Sequence, residues 1–181
     1  MPELYLFFDI QGTIDKGTDE KFDMLSRLIV DYLNQEKYAK ARLYILSGAN
    51  QTETYKYYCR LYTPFLSNEE FVEEGNFVSG ISSNEKNTYI RQTIAHRAKP
   101  TSEEILKDFP ENGKYVSEAI YFDDFPSEDV INGSLENYLV ELGVKYKSVQ
   151  PKNNIDDIIA FFEKELSKGH GRWDKLLDFV I

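Results

Sequence analysis

The sequence predicts an α/β domain: a three-layer, Rossmann-like fold with a parallel sheet and helices on both faces. Three observations carry this expectation. Short runs at residues 4–8, 41–46 and 118–122 are apolar enough for strands buried on both faces, and 144–149 reads as a further strand. These runs alternate with stretches of helical periodicity, the spacing of βαβ units. The first three end in polar residues, and the carboxyl ends of parallel strands are where open α/β sheets bind ligands.

Residues 4–8 form the first strand and Asp9 stands at its carboxyl end. Gly12 there permits a sharp turn and Thr13 supplies a hydroxyl. Residues 22–38 place Phe22, Leu25, Leu28, Ile29, Tyr32 and Leu33 on one helical stripe, with Thr18 or Asp19 as the cap. The second strand ends in Ser47-Gly48, and residues 51–65 read as a helix capped by Asn50 and stopped near Pro64. Residues 66–87 are the least regular; within them, 71–80 fit a short strand, a hairpin or a loop over the site. A helix over 88–97 precedes Lys99-Pro100, and Thr101 with Glu104 reads as a capping box for a helix to about Phe109. After the strand at 118–122 come Asp123-Asp124, then a helix over 134–142 ended by Gly143, the strand at 144–149 and a helix over 155–166. The tail, 169–181, carries Trp173 and Leu176-Leu177 and is expected to dock. No repeat or linker divides the chain, which reads as one domain over 1–181.

Composition narrows the function. With 21 Lys+Arg against 31 Asp+Glu the net charge is -10, which argues against a nucleic-acid partner, since such affinity rests on neutralising phosphates. The single Cys59 excludes an internal disulfide and reads as a small buried hydrophobe. Only His96 and His170 are present, so a metal must be held by oxygen, which favours Mg²⁺ over Zn²⁺. The amino terminus lacks a basic region, and no segment approaches the ~20 apolar residues of a membrane span, so a soluble, cytoplasmic protein is expected.

The polar groups at the strand ends form a coherent chemical set. Asp9 and Asp124 can hold Mg²⁺, Ser47 can bind phosphate oxygens, and Lys99 can neutralise a phosphoryl group. Asp9 is the carboxylate placed to act as a nucleophile. Ser47-Gly48 also fits an ordinary turn, and Lys99 a solvated lysine before a Pro-started helix. Asp123-Asp124 is harder to explain as structure, since adjacent carboxylates repel unless a cation relieves them.

This set and order resemble the haloacid dehalogenase-like (HAD) superfamily. Its first motif, a strand followed by Asp-x-Asp-x-Thr, is matched by Asp9-Ile10-Gln11-Gly12-Thr13 except at Gln11. The second is matched by Leu43-Tyr44-Ile45-Leu46-Ser47-Gly48, the third by Lys99-Pro100 and the helix after it, and the fourth by Asp123-Asp124 with Asp129. The resemblance implies a Mg²⁺-dependent phosphohydrolase or phosphotransferase. Asp9 would be the nucleophile and a metal ligand, Asp124 the second carboxylate ligand, with Asp123 or Asp129 in support. The carbonyl of Gln11 would complete the metal shell, and Thr13, Ser47, Gly48 and Lys99 would hold the phosphoryl group. Lys86 is the alternative to Lys99, without the following Pro and helix.

Gln11 is the departure. In the phosphatases that this chain resembles, the second Asp of that motif is the general acid/base. An amide can donate a hydrogen bond but cannot exchange a proton, so turnover is expected to fall by about 10²- to 10⁴-fold unless a substitute such as Asp15 reaches the site. Two readings stay open: a slow enzyme, or a catalytically inactive domain that binds Mg²⁺ and a phosphorylated ligand or a protein partner. The intervals between motifs leave little or no room for a cap, at most a small flap over 69–87. Such an open site suits a phosphate on a large substrate, a phosphoprotein or sugar chain, or needs a partner subunit to close it.

Overall fold

The computed structural model describes residues 1–68 and 71–180, and their side chains except at 68, 74 and 170–180. In chain order the elements are β1 (Pro2–Phe8), α1 (Asp19–Glu36), β2 (Lys40–Leu46), α2 (Gln51–Tyr62), a 3-10 turn (Thr63–Asn68), β3 (Val72–Val78), α3 (Ser83–Ala95), α4 (Glu103–Asp108), β4 (Tyr115–Phe122), α5 (Glu128–Ile131), α6 (Ser134–Glu141), β5 (Lys145–Val149) and α7 (Ile155–Val180). Among the described residues one sheet forms, five strands in the order β3-β2-β1-β4-β5, every pairing parallel. No helix among them is long and apolar enough to cross a membrane.

The period of two along β1 decides which helices go where. Leu4, Leu6 and Phe8 pack on one face with Leu25, Ile29 and Tyr32 of α1 and Ile158 and Phe162 of α7. Tyr5 and Phe7 pack on the other with Ile90 and Ile94 of α3 and Leu135 and Leu139 of α6. Five successive residues of this strand, Leu4 to Phe8, are wholly buried, as a central parallel strand covered on both faces requires. The expected three-layer arrangement is therefore present.

The chain winds from β1 through β2 to β3 and then returns across β1 to β4. That reversal puts the topological switch point between the carboxyl ends of β1 and β4, the place where open sheets leave a crevice. The register carries the crevice walls level: Phe8 pairs with both Ile45 and Phe122.

Several expectations need correction. The interval offered as room for a flap holds the edge strand β3 and the start of α3, because Val72 and Phe77 pair with Ala41 and Ile45 of β2. Gly75 there occupies a bulge, where a Cβ would lie 2.0 Å from the Leu43 carbonyl oxygen. The capping box belongs to Ser82 and Glu85, not to Thr101 and Glu104; α4 starts at Glu103 after Ser102, with no side-chain cap. Asn50 caps α2 as expected, and of Thr18 and Asp19 it is Thr18 that caps α1. The expectation that Trp173 and Leu176-Leu177 dock falls on side chains outside those described.

The amino-terminal end of the sheet carries its own charge cluster. Glu73 is paired with Lys114 at 2.8 Å, Lys40 at 3.1 Å and Arg42. The hydrogen bond from Lys114, with those from its other partners, holds its carboxyl down at about 2 against an ordinary 4.5. A carboxyl depressed on folding contributes stability that is present above its unfolded pKa and is lost as pH falls from there toward its folded value. Glu73→Gln should therefore cost on the order of 1 kcal/mol at pH 7, after solvent screening. In urea unfolding the gap between variant and natural chain closes as pH is lowered through about 4 toward 2.

Candidate functional site

The loop after β1 is set by two apolar anchors. Ile10 and Ile14 are buried in the core, and the N–H groups of Thr13, Ile14 and Asp15 all donate to the Ile10 carbonyl, a single helical turn. Asp9 continues the ladder by one residue, its N–H on Phe122 O at 2.9 Å, and Asp123 does the same on Val149 O at 3.1 Å. The two carboxylates thus meet at the switch point, both nearly buried. Gly12, at φ +79°, brings the loop against Asp124; a Cβ there would lie 2.1 Å from the Asp124 carboxylate.

The cation of the site comes from α3. Ser82 Oγ accepts from Glu85 N and Glu85 Oε1 accepts from Ser82 N, each at 3.2 Å, so the helix starts with its first turn facing the crevice. Lys86 shares the inward face with Ile90 and Ile94, all three buried. Its ammonium donates to Asp9 Oδ1 at 2.8 Å and to Asp123 Oδ2 at 3.3 Å. Ser82→Ala should cost about 1 kcal/mol in chemical denaturation and Ser82→Gly a few tenths, since a glycine still suits the cap backbone.

Lys99 is not in the site. Its ammonium lies over the Tyr115 ring, 5.3 Å from the centroid, beside the Ala98–Val116 bridge at the start of β4. The 8 residues of β4 separate that point from Asp123, roughly 25 Å at about 3.3 Å per residue. Chain polarity is the reason: a crossover helix runs against its strands, so its beginning, not its end, lies over their carboxyl ends. The missed signal was the Ser82-Ser83-Asn84-Glu85 capping box, which puts Lys86 in a first turn.

The other expected residues divide. Ser47 is buried at the end of β2 and lines the crevice with Gly48; its Oγ accepts from Ala49 N at 2.9 Å, leaving its proton for a ligand. Gln11 is exposed and lines the same crevice. Thr13 does not reach it: fully buried, its hydroxyl donates to Asp9 Oδ2 at 3.3 Å and accepts from Asp124 N at 3.2 Å. It positions the two carboxylates rather than holding a phosphate. Asp129 accepts from Asn87 Nδ2 at 3.0 Å, so it ties α5 to α3 instead of joining the acidic cluster. Asp15 curls back through the helical turn, and its Oδ1 accepts from Gly12 N at 3.0 Å and Asn154 Nδ2 at 2.6 Å.

Among the described residues Asp9, Asp123 and Asp124 each offer an oxygen within 4.8 Å of the others. An all-oxygen set of this kind suits a hard cation such as Mg²⁺. One ammonium bridges two of the three carboxylates, and the imbalance is felt at Asp9. Burial first, then Asp123, push its carboxyl up to about 7, although Lys86 pulls the other way. Burial opposes the Lys86 charge, but Asp123 and Asp9 outweigh it and hold the ammonium above its ordinary pKa. Tyr121, buried and donating to Asp123 Oδ2, is raised as well. The crevice is about 1170 Å³, much larger than a phosphoryl group needs.

Fold and site together define a Rossmann-like α/β domain with a carboxylate–lysine cluster at its topological switch point. No protein-family model, no curated protein and no solved structure matches this chain.

Proposed function

We propose that this chain is a HAD-like, Mg²⁺-dependent phosphohydrolase or phosphotransferase that works through an aspartyl-phosphate on Asp9. The observation that carries the reading is the convergence of Asp9, Asp123 and Asp124 within 4.8 Å, with Lys86 bridging two of them. Nothing in the packing of the core calls for three carboxylates at one point, whereas a cation and a phosphoryl group would use all of them.

Asp9, Asp123 and Asp124 would hold Mg²⁺, together with the Gln11 carbonyl; its chemistry there is to offset the charge of the carboxylates and the phosphoryl oxygens. Thr13 keeps one Asp9 oxygen in place. The other attacks phosphorus, the P–O bond of the ester breaks as the O–P bond to Asp9 forms, and the leaving oxygen takes its proton from solvent water. Lys86 and the Ser47 hydroxyl supply donors for the phosphoryl oxygens. Gln11 can donate a hydrogen bond to the leaving oxygen but no proton, so both ester cleavage and hydrolysis of the aspartyl-phosphate are slow. Transfer to an acceptor that manages its own proton suffers less.

The test is Mg²⁺-dependent hydrolysis of p-nitrophenyl phosphate, with Asp9→Asn as the blank. Turnover above the blank supports the enzyme. Gln11 itself favours a second reading, an inactive domain that binds Mg²⁺ and a phosphorylated ligand. On that reading the natural chain matches the blank, yet inorganic phosphate with Mg²⁺ still raises its melting temperature. Absence of both effects overturns the two readings together.

A further inference from the structure

The crevice has one wall that the phosphoryl site leaves unused. Asn154, in the left-handed region at φ 56°, stitches the loop after β1 to the start of α7: its Oδ1 accepts from Lys16 N at 3.1 Å and Ile155 N at 3.0 Å, and its Nδ2 donates to Asp15. That staple brings Lys16 and Lys152 to the same wall, both exposed and both lining the crevice. Among the described residues neither forms a salt bridge, whereas Lys21 beside them is taken by Asp156 at 2.9 Å. Asp15, the nearest carboxylate in sequence to Lys16, is occupied by Gly12 N and Asn154. Across the crevice, beside Ser47, the first turn of α2 presents Glu53. Asp157 Oδ2 accepts from the backbone N–H groups of Lys152 and Asn153 and feels the Lys152 charge without a salt bridge to its ammonium. In a chain of net charge -10, two lysines that form no salt bridge among the described residues on one wall, and an acid on the other, give the crevice a charge direction.

Resting on the reading of a phosphoryl site at Asp9, we propose that the substrate is a small phosphate ester with a second anionic group, a carboxylate or a further phosphate, seated by Lys16 and Lys152. The crevice, about 1170 Å³ against ~300 to ~1,000 Å³ for small-molecule sites, leaves space beyond the phosphoryl group on that wall. Lys16 and Lys152 set specificity, not chemistry. Their reach to an exposed anion is a screened, long-side-chain interaction, so the preference is moderate and falls with salt.

The experiment is calorimetric titration of the full chain, in Mg²⁺, with glycerol phosphate and with phosphoglycerate. The two share a three-carbon skeleton and differ by a carboxylate in place of a hydroxymethyl group. The natural chain should bind phosphoglycerate about tenfold tighter. The ratio should collapse toward one in the Lys16→Ala, Lys152→Ala double variant, which keeps its melting temperature, and in ~0.5 M salt. A ratio near one in the natural chain, or one that survives in the double variant, overturns the inference and leaves the phosphoryl site standing, provided inorganic phosphate binds. Failure of inorganic phosphate to bind removes the reading beneath it and the inference together. An acidic phosphopeptide that binds tighter than phosphoglycerate also overturns it, since the second anion would then belong to a macromolecule.

Discussion

Gln11→Asp raises the Mg²⁺-dependent hydrolysis of p-nitrophenyl phosphate by about 10²- to 10⁴-fold over the natural chain, the usual worth of a positioned acid/base. The structure makes this a clean substitution. Gln11 is exposed on the crevice wall, between an Ile10 locked in the core and a Gly12 held against Asp124. The loop is fixed by the three N–H groups on the Ile10 carbonyl and by Asp15, so a carboxyl one methylene shorter enters without moving the backbone. Unchanged turnover in a chain that already hydrolyses the ester would place the acid/base elsewhere, and Asp15→Asn becomes the next variant. A folded Gln11→Asp that is silent would sink the assignment of the first motif.

The second large effect is on stability. Lys86→Met should cost about 3–5 kcal/mol in metal-free urea unfolding, the range for removing one partner of a buried ion pair, because it leaves Asp9 and Asp123 facing each other without a cation. Lys99→Met, over Tyr115 at the far end of the sheet, should stay within about 0.5 kcal/mol of the natural chain. Mg²⁺ should return part of the Lys86→Met loss, since a bound cation supplies the missing charge. Equal stability of the two variants would mean that Lys86 does not bridge the carboxylates. The same pair of variants separates the two lysines in function, with phosphate binding lost in the first alone.

Much of the fold was legible in the chain. Apolar runs ending at Phe8, Leu46 and Phe122 are strands because nothing but burial on both faces suits them, and the stripe from Phe22 to Leu33 is helical because its spacing is that of one helix face. Local signals pointed to Asn50 as one cap and narrowed the other to Thr18 or Asp19. From these residues alone it followed that Asp9, Ser47 and Asp123-Asp124 stand at carboxyl ends of parallel strands, hence on one side of the sheet. The edge strand β3 was legible only as one reading of 71–80 beside a hairpin or a loop, because Val72–Val78 carries Glu73, Gly75 and Asn76 and lacks an apolar run; pairing with β2 makes it a strand.

The sequence by itself thus determined the fold class and the carboxylate ends of the site, because both follow from burial pattern and chain direction. Tertiary structure alone decided which cation and which hydroxyl serve them. Lys86 stands in the first turn of α3 and Lys99 beyond its end, and because that helix runs against the strands it carries one to the crevice and the other away. Thr13 and Ser47 both follow strands, yet Thr13 turns under the carboxylates while Ser47 faces the crevice. The pairing of Lys16 with Lys152 is likewise a product of the Asn154 staple, which joins residues far apart in the chain. Contacts at that separation leave no periodicity to read; they exist only once the sheet has set the loops side by side.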